Sequence, residues 1–298
     1  MKNLRYILLF VATSLFVACS NDDEAARFAN DSQSGWVQFK QPIKTPPPIE
    51  TAPIDPLELV FGSGVTQINL PVVLRAPENS DGLEVTYTIT DVVGSSAGVI
   101  ATGSVVTFPK AVAGDVNQLN QLTQNIVIDI VATSITTNVE FDVTLTATSR
   151  SNVKVGIETE QYPVKRRVKI CSTTPSTSLT GVSLASLAGA TPAPSFVPVV
   201  TPVPGVANSF NFNTCWGVDF IVHMTGNPAT SGIRNYPGIV TINPNFSVTV
   251  VGINTPAAPN RYPGGTGTFN PCTKQISYVL NQGVFTNPFT VSVVLTPN

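Results

Sequence analysis

The chain has 298 residues, 11% of them charged, with 25 prolines, 21 glycines, one histidine and a formal net charge of -2. An ordinary soluble domain is about 25% charged, and a chain this close to neutral has no basic footprint for nucleic acid. A single histidine, His223, excludes multi-histidine metal sites, 42% hydrophobic residues exclude wholesale disorder, and the length suits one large or two modest domains.

Lys2 and Arg5 precede an apolar run over residues 7–17. That run is too short for a bilayer span, which takes about 20 residues, and it has the form of an export signal. It closes on Phe16-Val17-Ala18-Cys19. A small residue directly before a cysteine at this point resembles the lipobox of bacterial lipoproteins. The resemblance implies a signal peptide over residues 1–18, with cleavage before Cys19. It also implies a thioether-linked diacylglycerol on Cys19 and an acyl chain on the new amine, and no other cofactor. Each buried CH₂ contributes about 0.8 kcal/mol, so several acyl chains together make a durable anchor. The residues behind the cysteine, Ser20, Asn21, Asp22, Asp23 and Glu24, resemble the acidic surface-export signal of lipoproteins from the Bacteroidota. This implies an outer-membrane location facing the cell exterior. Loss of Lys2 and Arg5 leaves 14 basic against 18 acidic residues, a net charge of -4.

Residues 19–34 are polar and small and read as a flexible tether. Residues 35–39 alternate apolar and polar, a short strand. Six prolines within residues 41–57 favour extended backbone and forbid helix. Strand patterns then recur over residues 66–74, 83–89, 104–108, 125–130, 140–145, 153–157 and 164–170. In the second of these, Leu83, Val85, Tyr87 and Ile89 share a face. β-Branched residues in period-2 alternation argue for antiparallel sheets with one face buried. Val116, Leu119 and Leu122, three apart, suggest a helical turn inside a long loop.

Gly103-Ser104-Val105-Val106-Thr107-Phe108-Pro109 and Glu140-Phe141-Asp142-Val143-Thr144-Leu145 resemble the strand rhythm of Calx-β and related immunoglobulin-like modules. The resemblance covers roughly residues 59–160 and implies a β-sandwich. It does not imply calcium, which takes 6–8 oxygen ligands. Glu78, Asp81 and Glu84 are the one acidic loop cluster and read as a solvated hairpin tip.

The first domain is assigned to residues 35–170 and a second to 171–298. In the second, strand patterns cover residues 182–187, 209–212, 218–224, 238–242, 247–251, 275–280 and 289–295. Turn residues separate them: Thr225-Gly226-Asn227-Pro228, Asn243-Pro244-Asn245, Tyr262-Pro263-Gly264-Gly265 and Asn281-Gln282-Gly283. Residues 191–204, with five prolines, read as an irregular or edge segment. The fold class expected is therefore all-β: two antiparallel β-sandwich, immunoglobulin-like domains behind a lipidated, flexible N-terminal tether.

If Cys19 carries lipid, then Cys171, Cys215 and Cys272 remain. Three thiols in an oxidising compartment allow one disulfide, and the sequence does not choose among the three pairings. No CxxC or ligand-spaced cluster points to a metal. Residues 172–298 hold four formally charged side chains, Asp219, Arg234, Arg261 and Lys274. One carboxylate cannot supply a glycosidase acid/base pair. On a strand, Asp219 and His223 would stand about 13 Å apart, too far for Asp219 to orient the imidazole. No catalytic residue is assigned.

Lys165, Arg166, Arg167 and Lys169 form a basic cluster, with Lys165, Arg167 and Lys169 on one strand face. Such a face suits an acidic glycan or a lipid head group, or protects an edge strand from pairing. Trp216, Tyr236 and Tyr262, among uncharged residues, are the candidates for stacking on a neutral sugar, Tyr236 and Tyr262 because each precedes a proline in a turn. The leading expectation is a non-enzymatic accessory or interaction subunit of an outer-membrane complex. It would partner the membrane through its lipid and other surface proteins, such as a TonB-dependent transporter with its SusD-like lid lipoprotein. The alternative is a carbohydrate-binding surface lipoprotein.

Overall fold

The structure is a computed structural model, and it describes residues 31–41, 54–111, 122–156 and 163–298. The signal, Cys19, the acidic run and most of the tether lie outside the described residues. So do most of the proline-rich segment and the suggested helical turn at Val116 and Leu119. The chain divides into two compact units, the chain passing from the first to the second between Lys169 and Ile170. The short segments 58–63 and 134–138 also belong to the second unit.

The strands up to residue 171 are β1 (Gly35–Phe39), β2 (Leu57–Val60), β3 (Gln67–Arg75), β4 (Leu83–Val93), β5 (Ile100–Thr102), β6 (Val105–Phe108), β7 (Thr123–Ile130), β8 (Val139–Thr148), β9 (Val153–Val155) and β10 (Lys165–Cys171), and they belong to the first unit except for residues 58–60 of β2 and 170–171 of β10. They make two five-stranded sheets, β5-β7-β3-β1-β9 and β2-β10-β8-β4-β6. Period-2 alternation is visible in β4, where Leu83, Val85 and Tyr87 are buried and the residues between them are exposed. Phe39, Leu70, Phe108, Ile128, Phe141 and Val168 are each at most 1% exposed, so the inward faces form a dry core. Not every pairing is antiparallel: β1 runs parallel to β9.

The second unit contains β11 (Leu179–Ala185), β12 (Val200–Pro202), β13 (Ser209–Phe212), helix α1 (Phe220–Thr225), β14 (Gly238–Ile242), β15 (Ser247–Gly252), β16 (Gly264–Asn270), β17 (Gln275–Asn281) and β18 (Thr290–Pro297). All eight strands join one sheet in the order β11-β18-β17-β16-β15-β14-β13-β12. From β12 to β18 each strand pairs antiparallel with the next, and β11 closes the series on β18. Leu179, Phe212, Val240, Val250, Tyr278, Leu280, Val293 and Leu295 belong to one hydrophobic cluster. For residues of both flanks of an eight-stranded sheet to share a core, the sheet must curl on itself.

Several elements differ from the sequence expectation, among them β5, which lies in no expected strand range. Residues 218–224 read as a strand, yet Phe220–Thr225 is a helix, ended by Gly226 in the left-handed conformation (φ 68°) with its N–H bonded to Val222 O. The apolar side chains Phe220 and Ile221 are buried on the hydrophobic cluster, and a tertiary surface of that kind outweighs a weak local preference for strand. Conversely, β16 carries no strand expectation, because its first residues, Gly264 and Gly265, read as part of a turn. At Gly267 a Cβ would lie 1.9 Å from Ser277 O and 2.7 Å from Tyr278 Cβ. Glycine is there because the neighbouring strand comes too close for any side chain. Residues 191–204 supply β12, the short strand at one edge of the sheet.

This close approach makes a graded test. Gly267→Val should destabilise the protein by more than about 2 kcal/mol in urea unfolding, since overpacking costs roughly 1–3 kcal/mol and backbone must also move. Thr266→Val, whose side chain points to solvent, should change stability by less than about 0.5 kcal/mol.

Candidate functional site

The cysteine chemistry is settled by geometry. Cys171, the last residue of β10, is bonded to Cys272 in the turn after β16, with Cα atoms 4.8 Å apart and a sequence separation of 101. Both belong to the second unit. Hydrogen bonds reinforce the junction. Ser172 N donates to Asn138 Oδ1 at 3.0 Å, Ser172 Oγ to Ile135 O at 3.0 Å, and Asn138 Nδ2 to Cys272 O at 2.9 Å. Lys274 Nζ donates to Ser172 O. The disulfide thus joins the start of the second unit to the middle of its sheet.

Cys215 is the free cysteine among the described residues and is 0% exposed. Burial pushes its thiol up to about 12, a rise that Tyr278 partly opposes. A thiol protonated at neutral pH is neither nucleophile nor metal ligand. Tyr278 OH donates to Cys215 O at 2.8 Å, and burial raises that phenol also.

The three aromatic candidates do come together, but inside the core. Trp216 and Tyr236 are 0% exposed and Tyr262 is 7% exposed. Trp216 stacks on Phe220 with ring centres 4.7 Å apart, meets Tyr236 edge-on at 4.9 Å, and Tyr236 lies 4.8 Å from Tyr262. Each such ring pair contributes roughly 0.5–1.5 kcal/mol beyond the area it buries. Tyr236 OH accepts from Gly264 N at 2.7 Å and donates to Asn281 O at 2.7 Å. Trp216 Nε1 donates to Arg234 O at 3.1 Å. The expected sugar-stacking platform is therefore not formed by Trp216, Tyr236 and Tyr262. A proline in the next position marks a turn, but it does not expose the ring before it when that ring's hydroxyl is needed to tie two backbone segments.

The helix alters the spacing of Asp219 and His223 from that of a strand. Asp219 stands at the start of α1, one turn before His223. Even so, the Asp219 carboxylate accepts from Ser231 Oγ, and His223 Nε2 lies 3.0 Å from Thr191 O.

On β10 the basic side chains face carboxylates of β8. Asp142, 6% exposed, takes Arg167 Nε at 2.9 Å and Lys165 Nζ at 3.3 Å, and Glu140 takes Lys169 at 3.2 Å. The Arg167 guanidinium, and secondarily Lys165, holds the Asp142 carboxyl below its usual range. Arg166 points to the opposite face, where burial lowers its pKa and Asp55 opposes the change. The cluster is thus largely neutralised by its own sheet. At the hairpin tip, Glu78 accepts from Ser32 and Asp81 N donates to Gln33 Oε1. An open groove of about 510 Å³ runs between Asp81, Glu84, Lys110 and Arg150. Among the described residues no group of three or more His, Cys, Asp and Glu side chains is arranged to hold a metal ion.

No family model matches the chain, and no curated protein matches it. Among solved structures, the apo-form Calx CBD1 domain is 16% identical over 46% of this chain and 96% of its own length, with a TM-score of 0.31. The calcium binding domain CBD12 of CALX1.1 is 13% identical over 52% of this chain and 74% of its own, TM-score 0.29. CBD12 from CALX1.2 is 14% identical over 59% and 78%, TM-score 0.32. At these scores the likeness adds nothing to the sheet orders given above.

Two measurements follow. The Cys171→Ser/Cys272→Ser double variant should lose about 2–5 kcal/mol of unfolding free energy, the usual cost of removing a native disulfide, read by denaturant titration. Cys215 should resist iodoacetamide in the native protein at pH 8 and react once urea unfolds it, as followed by mass spectrometry. Its raised pKa also adds stability that is intact below the thiol's unfolded value near 9 and lost as pH climbs towards about 12.

Proposed function

We propose that the chain is a lipid-anchored surface protein of the outer membrane that acts as a non-enzymatic interaction subunit. The observation that carries this reading is Cys19, set directly after Ala18 at the end of an 11-residue apolar run and followed by Asp22, Asp23 and Glu24. Thioether and amide acylation at that position would hold the chain on the bilayer. The described residues contain no helix long and apolar enough to cross a membrane, so among them attachment through a lipid has no competitor of that kind. The reading is Bacteroidota-like in its signal, and a transporter complex of the outer membrane is the class of assembly it would join.

The interaction role draws support from the side-chain inventory. The sheets bury Trp216, Tyr236 and Tyr262 and pair Lys165, Arg167 and Lys169 internally. Asp219 and His223 contact different partners. Of the two expectations drawn from sequence, sugar binding loses its residues to the core, while an interaction role needs none of them.

Growth in radiolabelled palmitate tests the anchor. Label should enter the wild-type protein and be lost in Cys19→Ala, and protease added to intact cells should degrade the protein. Absence of label in the wild type, or protection until lysis, would overturn the reading.

A further inference from the structure

The last residues of the expected tether are tied to the first unit. Asp31 shapes the segment locally. Its Oδ1 accepts from Gln33 N at 2.9 Å, its Oδ2 from Ser34 Oγ at 3.0 Å, and its main-chain O from Ser34 N at 3.0 Å. An aspartate-headed turn of this kind fixes the backbone before any distant partner is reached. The turn is then gripped by two loops, residues 76–82 between β3 and β4 and residues 149–152 between β8 and β9. Arg150 Nη1 donates to Gln33 Oε1 at 2.8 Å and Nη2 to Gln33 O at 3.1 Å. Asp81 N donates to the same Gln33 Oε1 at 3.2 Å. Ser32 Oγ donates to Glu78 Oε2 at 3.1 Å, and Glu78 N to Ser32 O at 3.0 Å. Asn152 Nδ2 donates to Asp31 Oδ2, and Gly35 N to Asn152 O at 3.2 Å.

We infer that residues 31–34 are a clasp that fixes where the anchored chain leaves the first unit, at the end formed by these two loops, and so keeps that end towards the bilayer. The orientation rests on the acylated Cys19 of the proposed function; the clasp itself does not. Ser32 and Glu78 are joined through main chain and side chain alike, so the segment is held in one register. Gln33 is held by a guanidinium, and charged donors make the stronger hydrogen bonds. Burial disfavours the charge of Arg150, and the carboxylates of Asp81 and Asp31 offset this. The clasp also leads straight into β1, which is locked between β3 and β9.

Chain length sets the consequence. Residues 20–30 separate Cys19 from the clasp. Eleven residues span at most about 40 Å, so the clasped end stays within that distance of the acylated residue. From Leu83, beside the gripping loop, β4 runs 11 residues to Val93, a length of roughly 35 Å. The turn after β4 therefore stands about one strand length farther from the clasp. Release of residues 31–34 would lengthen the leash by about 14 Å and free the unit to turn over.

Hydrogen exchange and energy transfer test the two parts separately. In the full chain in mild detergent, the Glu78 and Asp81 amides should exchange at least about 10-fold faster in Arg150→Gln than in the wild type, because local opening then lacks its closing contacts. The β8 amides should be unchanged. Lys110→Gln, on the neighbouring groove, should exchange like the wild type. Equal exchange in the wild type and Arg150→Gln, or equal acceleration in Lys110→Gln, would overturn the clasp whatever the state of Cys19. If Arg150→Gln does not fold, Gln33→Ala serves in its place with the same expectation. For orientation, acylated chain is placed in phosphatidylcholine vesicles with rhodamine-labelled head groups. A donor dye on Ser80→Cys, exposed in the gripping loop, should transfer energy more efficiently than one on Ala97→Cys, exposed after β4, and Arg150→Gln should narrow the difference. Equal transfer from the two positions overturns the orienting role. A chain found by mass spectrometry to carry no lipid overturns the anchored reading and the orientation with it, while the exchange result decides the clasp in either case.

Discussion

Burial of one sheet face against itself is the constraint on which the second unit depends. An eight-stranded antiparallel meander has no partner sheet of its own, so its inward side chains must find each other across a curl. That requires small residues where backbones converge. Gly267 provides this where Tyr278 and Ser277 press against β16. It also requires large residues to fill the centre, which Trp216, Tyr236, Tyr278 and Phe212 do. The disulfide between Cys171 and Cys272 then joins the start of the unit to the middle of this sheet.

Large polar aromatics in a core must satisfy their own hydrogen bonds, because an unpaired buried group costs about 1–3 kcal/mol. The second unit meets this requirement with backbone partners. Tyr236 OH bridges Gly264 N and Asn281 O, Tyr278 OH reaches Cys215 O, and Trp216 Nε1 reaches Arg234 O. Ser183 Oγ donates to Trp216 O, and Thr214 Oγ1 to Asn235 O. The loop from residue 213 to 217 is therefore stitched to the sheet through side-chain and main-chain bonds together. The same low-polarity surroundings hold the Cys215 thiol protonated. Residues that look reactive or adhesive in sequence are structural here, because the core consumes their polar atoms.

The first unit handles charge in the opposite way. Its basic strand β10 keeps its charged side chains, but each of Lys165, Arg167 and Lys169 has a carboxylate of β8 within reach. Asp142 is nearly buried yet holds two cations, and its lowered pKa reflects that pairing. Because the lysine and arginine ends of these pairs are 61% and 40% exposed, the pairs contribute little energy by themselves, but they remove an adhesive basic stripe. One unit thus neutralises its sheet surface by pairing, and the other by leaving charge out.

Much of this was legible in the residues alone. Alternation in 83–89 and 140–145, and the apolar strands 238–242 and 275–280, mark β4, β8, β14 and β17 because a half-buried strand must repeat every two residues. The lipobox-like Cys19 is likewise a purely local signal. Tertiary structure alone decided the rest. It paired Cys171 with Cys272, since three thiols are equivalent until a fold brings two of them within bonding distance. It made β16 a strand despite its glycines, since close approach of a neighbouring strand is invisible in a one-dimensional pattern. It turned residues 220–225 into a helix and drew Trp216, Tyr236 and Tyr262 inward. Whether an aromatic ring is a core residue or a ligand platform depends on what lies above it, and that is set by distant segments of the chain.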